Sequence, residues 1–165
     1  MAALAVAATV VVSSTTAPSS FPSRRAVCAN PIFSSVIKPL QSKTRVPLRL
    51  PAIMGGDYDA ALYARVGSVS RDHYLVRIGQ NCERSYCPYG RVSGTKLSNS
   101  KMRPHGRAVE LSGAITGYLT DGSRKLKDST ITWDQGAYRY SISVYAKEPE
   151  AMIRIANSAL TCNGQ

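Results

Sequence analysis

Large aromatic residues are scarce. The chain has one Trp, at position 133, and two Phe, at 21 and 33, in a segment that reads as a leader. A core must then rest on Trp133, Tyr and branched aliphatics. No apolar run approaches the roughly 20 residues that a bilayer-spanning helix needs, which argues against an integral helical membrane protein. The arrangements that activate a nucleophile, a metal-bound water or a phosphate are absent too: there is no G-x-S-x-G, H-E-x-x-H, P-loop or dinucleotide fingerprint. His73 and His105 stand isolated, and Asp57 and Asp59 sit at a Gly-rich stretch where solvated acids are the plainer reading. With 44% apolar and 19% charged residues, disorder throughout the chain is excluded.

Acids are missing from residues 1–53, which hold six Lys or Arg, and the first is Asp57. Of the formal charge of +11, that segment carries more than half, leaving 15 basic against 10 acidic residues from 54 onward. Rich in Ser and Arg, poor in acids and without a regular apolar period, residues 1–53 read as a disordered organelle transit peptide, with the chloroplast as first choice. A secretory segment over Ala2–Val12 is the alternative. No positive residue precedes it, and Ser, Pro and Arg follow it for forty residues. Removal falls between Val27-Cys28-Ala29 and Ile53. Arg24-Arg25 is followed by no sustained apolar segment, so the stroma or the stromal face of the thylakoid is favoured over the lumen.

Residues 54–165 are enough for one small domain. All nine Tyr lie there. From Ala137 to Ala146, Tyr138, Tyr140, Ile142 and Val144 alternate with Arg139, Ser141, Ser143 and Tyr145, the period of a half-buried antiparallel strand. Thr130–Trp133 alternates as well, and Asp134-Gln135-Gly136 joins the two as a hairpin. A second turn is expected at Asp121-Gly122, after Ile115–Thr120. Earlier, Ala60–Ser68 and His73–Gly79 read as two more strands, with Tyr74, Val76 and Ile78 on one face. After Glu148-Pro149-Glu150, residues Met152, Ile155, Ala156, Ala159 and Leu160 fall at helical spacing. The expectation is an α+β fold, an antiparallel sheet of about four to six strands covered by a C-terminal amphipathic helix. Between about residues 80 and 109 no period is visible, and a long basic loop is predicted.

Residues Ile131 to Ile142, followed by Glu150 and Ile153-Arg154-Ile155-Ala156-Asn157-Ser158, resemble a signature of small cyanobacterial and other bacterial envelope domains. In those a Trp-containing strand, a Gly turn and a mixed aromatic and aliphatic strand lead to a helix ending in Ile-Ala-x-Ser. The resemblance spans about thirty residues. It implies a curved sheet with a helix packed on it, cyanobacterial ancestry for a plastid protein, and no catalytic residues.

Two sets of side chains carry chemistry. Cys82 and Cys87, with four residues between them that include Arg84, are close enough to close a disulfide, and Arg84 favours the reactive thiolate. Two reduced loop cysteines without function are the bland reading. No metal site is assigned, because Gly90 stands where an iron–sulfur spacing needs a Cys, and the spacing of His73, His105 and Cys162 specifies no zinc. Arg84, Arg91, Lys96, Lys101, Arg103 and Arg107 form a run without an acid after Glu83, near Tyr86 and Tyr89, which suits RNA or single-stranded nucleic acid, or anionic thylakoid headgroups. A solvated loop is the commoner use of such a run. Arg124, Lys125 and Lys127 form a second basic cluster. The functional expectation is a non-enzymatic chloroplast protein without cofactor, an interaction or assembly factor with a protein partner. RNA binding and thiol-redox regulation in the stroma are the alternatives.

Overall fold

A computed structural model describes residues 28–54, 62–79, 89–98, 104–125 and 127–161. Seven strands, β1 (Tyr63–Ser70), β2 (His73–Gly79), β3 (Gly90–Lys96), β4 (Arg107–Leu111), β5 (Ile115–Thr120), β6 (Asp128–Gln135) and β7 (Tyr138–Tyr145), form one antiparallel sheet. Two helices accompany it, α1 (Ser34–Lys43) and α2 (Pro149–Thr161). The α+β class is as expected, with more strands than the sequence suggests.

The strand order is β1-β2-β3-β7-β6-β5-β4. The chain runs out as a meander through β3, jumps to the far edge and returns strand by strand, so that β7 slots between β3 and β6. Along β7, Tyr140, Ile142 and Val144 are buried on the core side, where Ile142 lies between Val92 and Ile131. Trp133, fully buried, stacks on Tyr140 with ring centroids 5.6 Å apart. Gly94 faces Tyr140 across the ladder, and a Cβ there would lie 2.4 Å from Cε1 of Tyr74. Only glycine therefore lets that ring lie flat on the strand.

α2 buries Met152, Ile155, Ala156, Ala159 and Leu160, the stripe its spacing predicts. It contacts β6 and β4, and Asn157 Oδ1 accepts from the Ser112 backbone N–H (2.8 Å). The β6–β7 turn is tighter than expected. Gln135 pairs with Tyr138, leaving Gly136-Ala137 as the loop, with Gly136 at φ 60°. Asp134 belongs to the strand and receives two hydrogen bonds from Arg139, at 2.7 and 2.9 Å.

Two expectations are overturned. The region 80–109 is not one loop, since β3 and the start of β4 lie in it. Its Gly and Ser content hides the period, because Gly90, Val92 and Gly94 are buried without presenting an alternating apolar row. Nor are residues 28–53 part of a disordered leader, because residues 28–54 belong to the folded unit. Asn30 caps a 3-10 turn, Pro31–Phe33, by accepting from the Ile32 N–H at 3.1 Å. Phe33 at the end of that turn and Val36 and Leu40 on α1, at helical spacing, are buried, and α1 packs on β1. Beyond α1, Val46, Leu48 and Leu50 alternate inward along an extended strap. Ser158 Oγ on α2 accepts from the backbone N–H of Ala52 and of Ile53, at 3.2 and 3.3 Å, tying the end of the strap down.

Candidate functional site

The sheet has a core face and an outer face, and strand alternation assigns each residue to one of them. Along β1, Arg65 lies on the opposite face from Ala64 and Val66, which pack on the core. Arg77 alternates with the buried Val76 and Ile78, and Arg91 with the buried Gly90 and Val92. The register then sets these three arginines side by side: Arg65 opposite Arg77, and Arg77 opposite Arg91. At the strand spacing of about 4.8 Å, the row spans roughly 10 Å. Like charges directly opposite one another are destabilising, and Arg65 and Arg77 each have a further interaction within the protein that offsets this.

Around the row the outer face is polar. Arg91 Nε donates to Ser143 Oγ (3.3 Å), and Ser143 Oγ is hydrogen-bonded to Thr130 Oγ1 (2.9 Å). Arg91 also lies 3.8 Å from Asp128, with both side chains well exposed, a pair worth about 0–1 kcal/mol. One residue pair nearer the strand ends, Tyr63 (64% exposed) and Tyr145 (48% exposed) stand out from the surface. That end of the sheet also receives the connection from β5 to β6, which carries Arg124, Lys125 and Lys127, all exposed. Ala146 N–H donates to the Lys127 carbonyl at 2.9 Å, fixing this connection beside the end of β7. Asp121, in the same connection, accepts from the Ser123 hydroxyl (2.6 Å) and backbone N–H (2.9 Å), which together hold its carboxyl below the usual range.

The structure does not bring the six expected basic residues together. Arg84, Lys101 and Arg103, like Cys82 and Cys87, lie outside the described residues. Arg91 is in the row. Lys96 lies at the opposite end of β3, paired with Tyr138, and Arg107 is on the edge strand β4, four strand positions from β3. Arg65 and Arg77 were not among the residues singled out from the sequence, and only cross-strand register makes them neighbours of Arg91. Cys28, assigned to the leader by composition, is disulfide-bonded.

Other places offer less. His73 has both ring nitrogens occupied, Nε2 with Ser68 Oγ at 3.1 Å and Nδ1 with Thr95 Oγ1 at 2.9 Å. Among the described residues no three His, Cys, Asp or Glu side chains converge as metal ligands, and no helix is long and apolar enough to cross a membrane. An open depression of about 370 Å³ at the β4–β5 hairpin has Glu110 as its only charged lining residue. Under the strap, Arg49 N–H donates to the Tyr74 hydroxyl at 3.0 Å.

Burial pushes the Tyr74 phenol well above its ordinary value, and burial, against the pull of Arg49, pushes Tyr140 up to about 12. Both shifts are upward, so the stability they contribute is whole below the ordinary phenol value of 10.0 and is lost as pH rises beyond it. Alkaline unfolding is therefore expected to begin above about pH 10, and Tyr74→Phe is expected to move its midpoint upward. Phenolate absorbance and circular dichroism followed on one titration test this, and an unmoved midpoint in the variant would refute it.

Set against known proteins, the chain matches no protein-family model, no curated protein and no solved structure.

Proposed function

We propose that this is a non-enzymatic chloroplast protein, an interaction factor that holds its partner against the basic end of its sheet. One observation carries the reading. Two basic groups far apart in sequence, the row Arg65, Arg77 and Arg91 and the cluster Arg124, Lys125 and Lys127, meet at one end of the sheet beside two exposed tyrosines. Electrostatic contact surfaces have this form, an excess of one sign on a rigid scaffold, here six basic side chains against Asp121 and Asp128. The leader supports the chloroplast address. The cross-link at Cys28 supports a side of the organelle membrane where disulfides persist over the reducing stroma.

The test is affinity purification of the tagged protein from isolated chloroplasts, wild type against the triple variant Arg65→Gln, Arg77→Gln, Arg91→Gln, each half treated with nuclease. The reading expects the wild-type partners to be lost or strongly depleted in the variant. An identical set captured by both proteins would reject the basic end as the contact surface.

A further inference from the structure

Beyond that reading, and on the opposite face of the sheet, we infer that the β6–β7 hairpin end of the core, under the strap, binds a small oxyanion with a hydroxyl of its own, hydrogen phosphate or a hydroxycarboxylate. Three buried polar atoms have no hydrogen-bond partner among the described residues: Arg49 Nε, Trp133 Nε1 and Gln135 Oε1. Buried polar groups are nearly always paired, and leaving one unpaired costs free energy. Three at one place point to something the described residues do not themselves supply.

All three belong to residues that adjoin one ring. Trp133 and Gln135 are two apart on β6 and so share a face, with Cα atoms about 6.7 Å apart. Trp133 lies opposite Tyr140 and stacks on it, ring centroids 5.6 Å apart, and Gln135 lies opposite Tyr138, whose ring centroid is 6.5 Å from that of Tyr140. Arg49 reaches the same place from the strap. Its backbone N–H donates to the Tyr74 hydroxyl, and its guanidinium is close enough to the Tyr74 and Tyr140 hydroxyls to pull on both. Trp133 is fully buried, whereas Arg49, Gln135 and Tyr138 are half-buried, so the group opens to solvent at the hairpin end.

Hydrogen-bonding roles and charge together select the ligand. Arg49 Nε–H and Trp133 Nε1–H call for an acceptor, and Gln135 Oε1 calls for a donor. A water meets that count of about three hydrogen bonds but leaves the charge of Arg49 without a counter-ion. Burial keeps the Tyr74 and Tyr140 phenols neutral, so they supply none. Nor do the carboxylates nearby. Asp134 alternates to the opposite face and is taken by Arg139, and Asp72, whose carbonyl accepts the Lys96 N–H, lies exposed in the turn from β1 to β2. Among the described residues neither forms an ion pair with Arg49. An oxyanion supplies charge and acceptor together, and its hydrogen bonds from an arginine are about twice as strong as neutral ones. A hydroxyl on the same molecule donates to Gln135.

Trp133 is the single tryptophan of the chain, so its indole N–H gives one resonance in a nitrogen–proton correlation spectrum and reports on the site directly. The full chain, with its disulfide intact, is titrated at constant ionic strength with inorganic phosphate, lactate, acetate and chloride. The inference expects saturable displacement of that resonance by phosphate, by lactate or by both, weaker displacement by acetate, which lacks the hydroxyl, and no saturation by chloride. Phosphate alone would assign an inorganic ligand, lactate alone an organic acid. Arg49→Gln is expected to weaken binding roughly ten- to hundredfold, because a hydrogen bond to a charged group is lost, with Arg49→Lys falling between. Should Arg49→Gln fail to fold, Gln135→Leu is expected to weaken binding roughly fivefold and to abolish the advantage of lactate over acetate. An indole resonance that no anion moves means that water serves the three atoms, and overturns the inference. Equal affinity in wild type and Arg49→Gln overturns it as well. The contact surface proposed for the basic end is on the outer face and stands or falls separately.

Discussion

A chain that begins at Met54 is expected not to fold. Truncation there removes Phe33, Val36, Leu40, Val46, Leu48 and Leu50, all buried, together with α1, which packs on β1. At about 1.5–3 kcal/mol for each buried side chain of this size, the six supply roughly 9–18 kcal/mol. That matches or exceeds the whole stability of a typical domain, about 5–15 kcal/mol. The loss also strips the strap from Tyr74, whose hydroxyl would no longer receive the Arg49 N–H. Urea unfolding of chains starting at 28 and at 54, followed by circular dichroism, decides the matter: a cooperative transition at the same midpoint in both would refute the role given to the strap. Cys28→Ser in the longer chain separates the cross-link from the packing, and its expected cost is about 2–5 kcal/mol. The same packing constrains processing. A mature protein whose N-terminus lay beyond Phe33 would lack part of its core, so if the proposed leader is removed, terminal sequencing is expected to place the cut ahead of Asn30.

Replacing Ile155 with Asp is expected to abolish cooperative folding. Ile155 is 1% exposed on the face of α2 that meets the sheet. A carboxylate there meets apolar neighbours, and desolvating an unpaired charge costs several kcal/mol, added to the lost burial of an isoleucine. Arg154→Asp, one position along on the exposed face, is the control, with an expected change within about 0.5 kcal/mol. A native-like melt of the Ile155 variant would mean that this face of α2 is not core.

How much of this could be read in advance varies by element. The inward stripe of α2 and the alternation of β7 were legible because each needs only local periodicity, 3.6 residues for one and two for the other. β3 was not, since Gly90 and Gly94 are buried for want of space rather than for apolarity, and Gly94 in particular makes room for Tyr74. Residues 28–54 were misread for a related reason. Composition over fifty residues outweighed a real local signal, the spacing of Phe33, Val36 and Leu40 and the alternation of Val46, Leu48 and Leu50.

By itself, the sequence determined the α+β class, the covering helix and the face to which each residue of β2 and β7 points. These follow from local steric and hydrophobic periods. Only tertiary structure decided what stands beside what. Strand order and register set Arg65, Arg77 and Arg91 in one row and brought Arg124, Lys125 and Lys127 to the same end of the sheet, while placing Lys96 at the opposite end and Arg107 on the far edge strand. Such neighbours are separated by tens of residues along the chain, and no local pattern encodes them. They result from pairing β7 against β3 and from the jump of the chain to the far edge, which the burial of one continuous core selects.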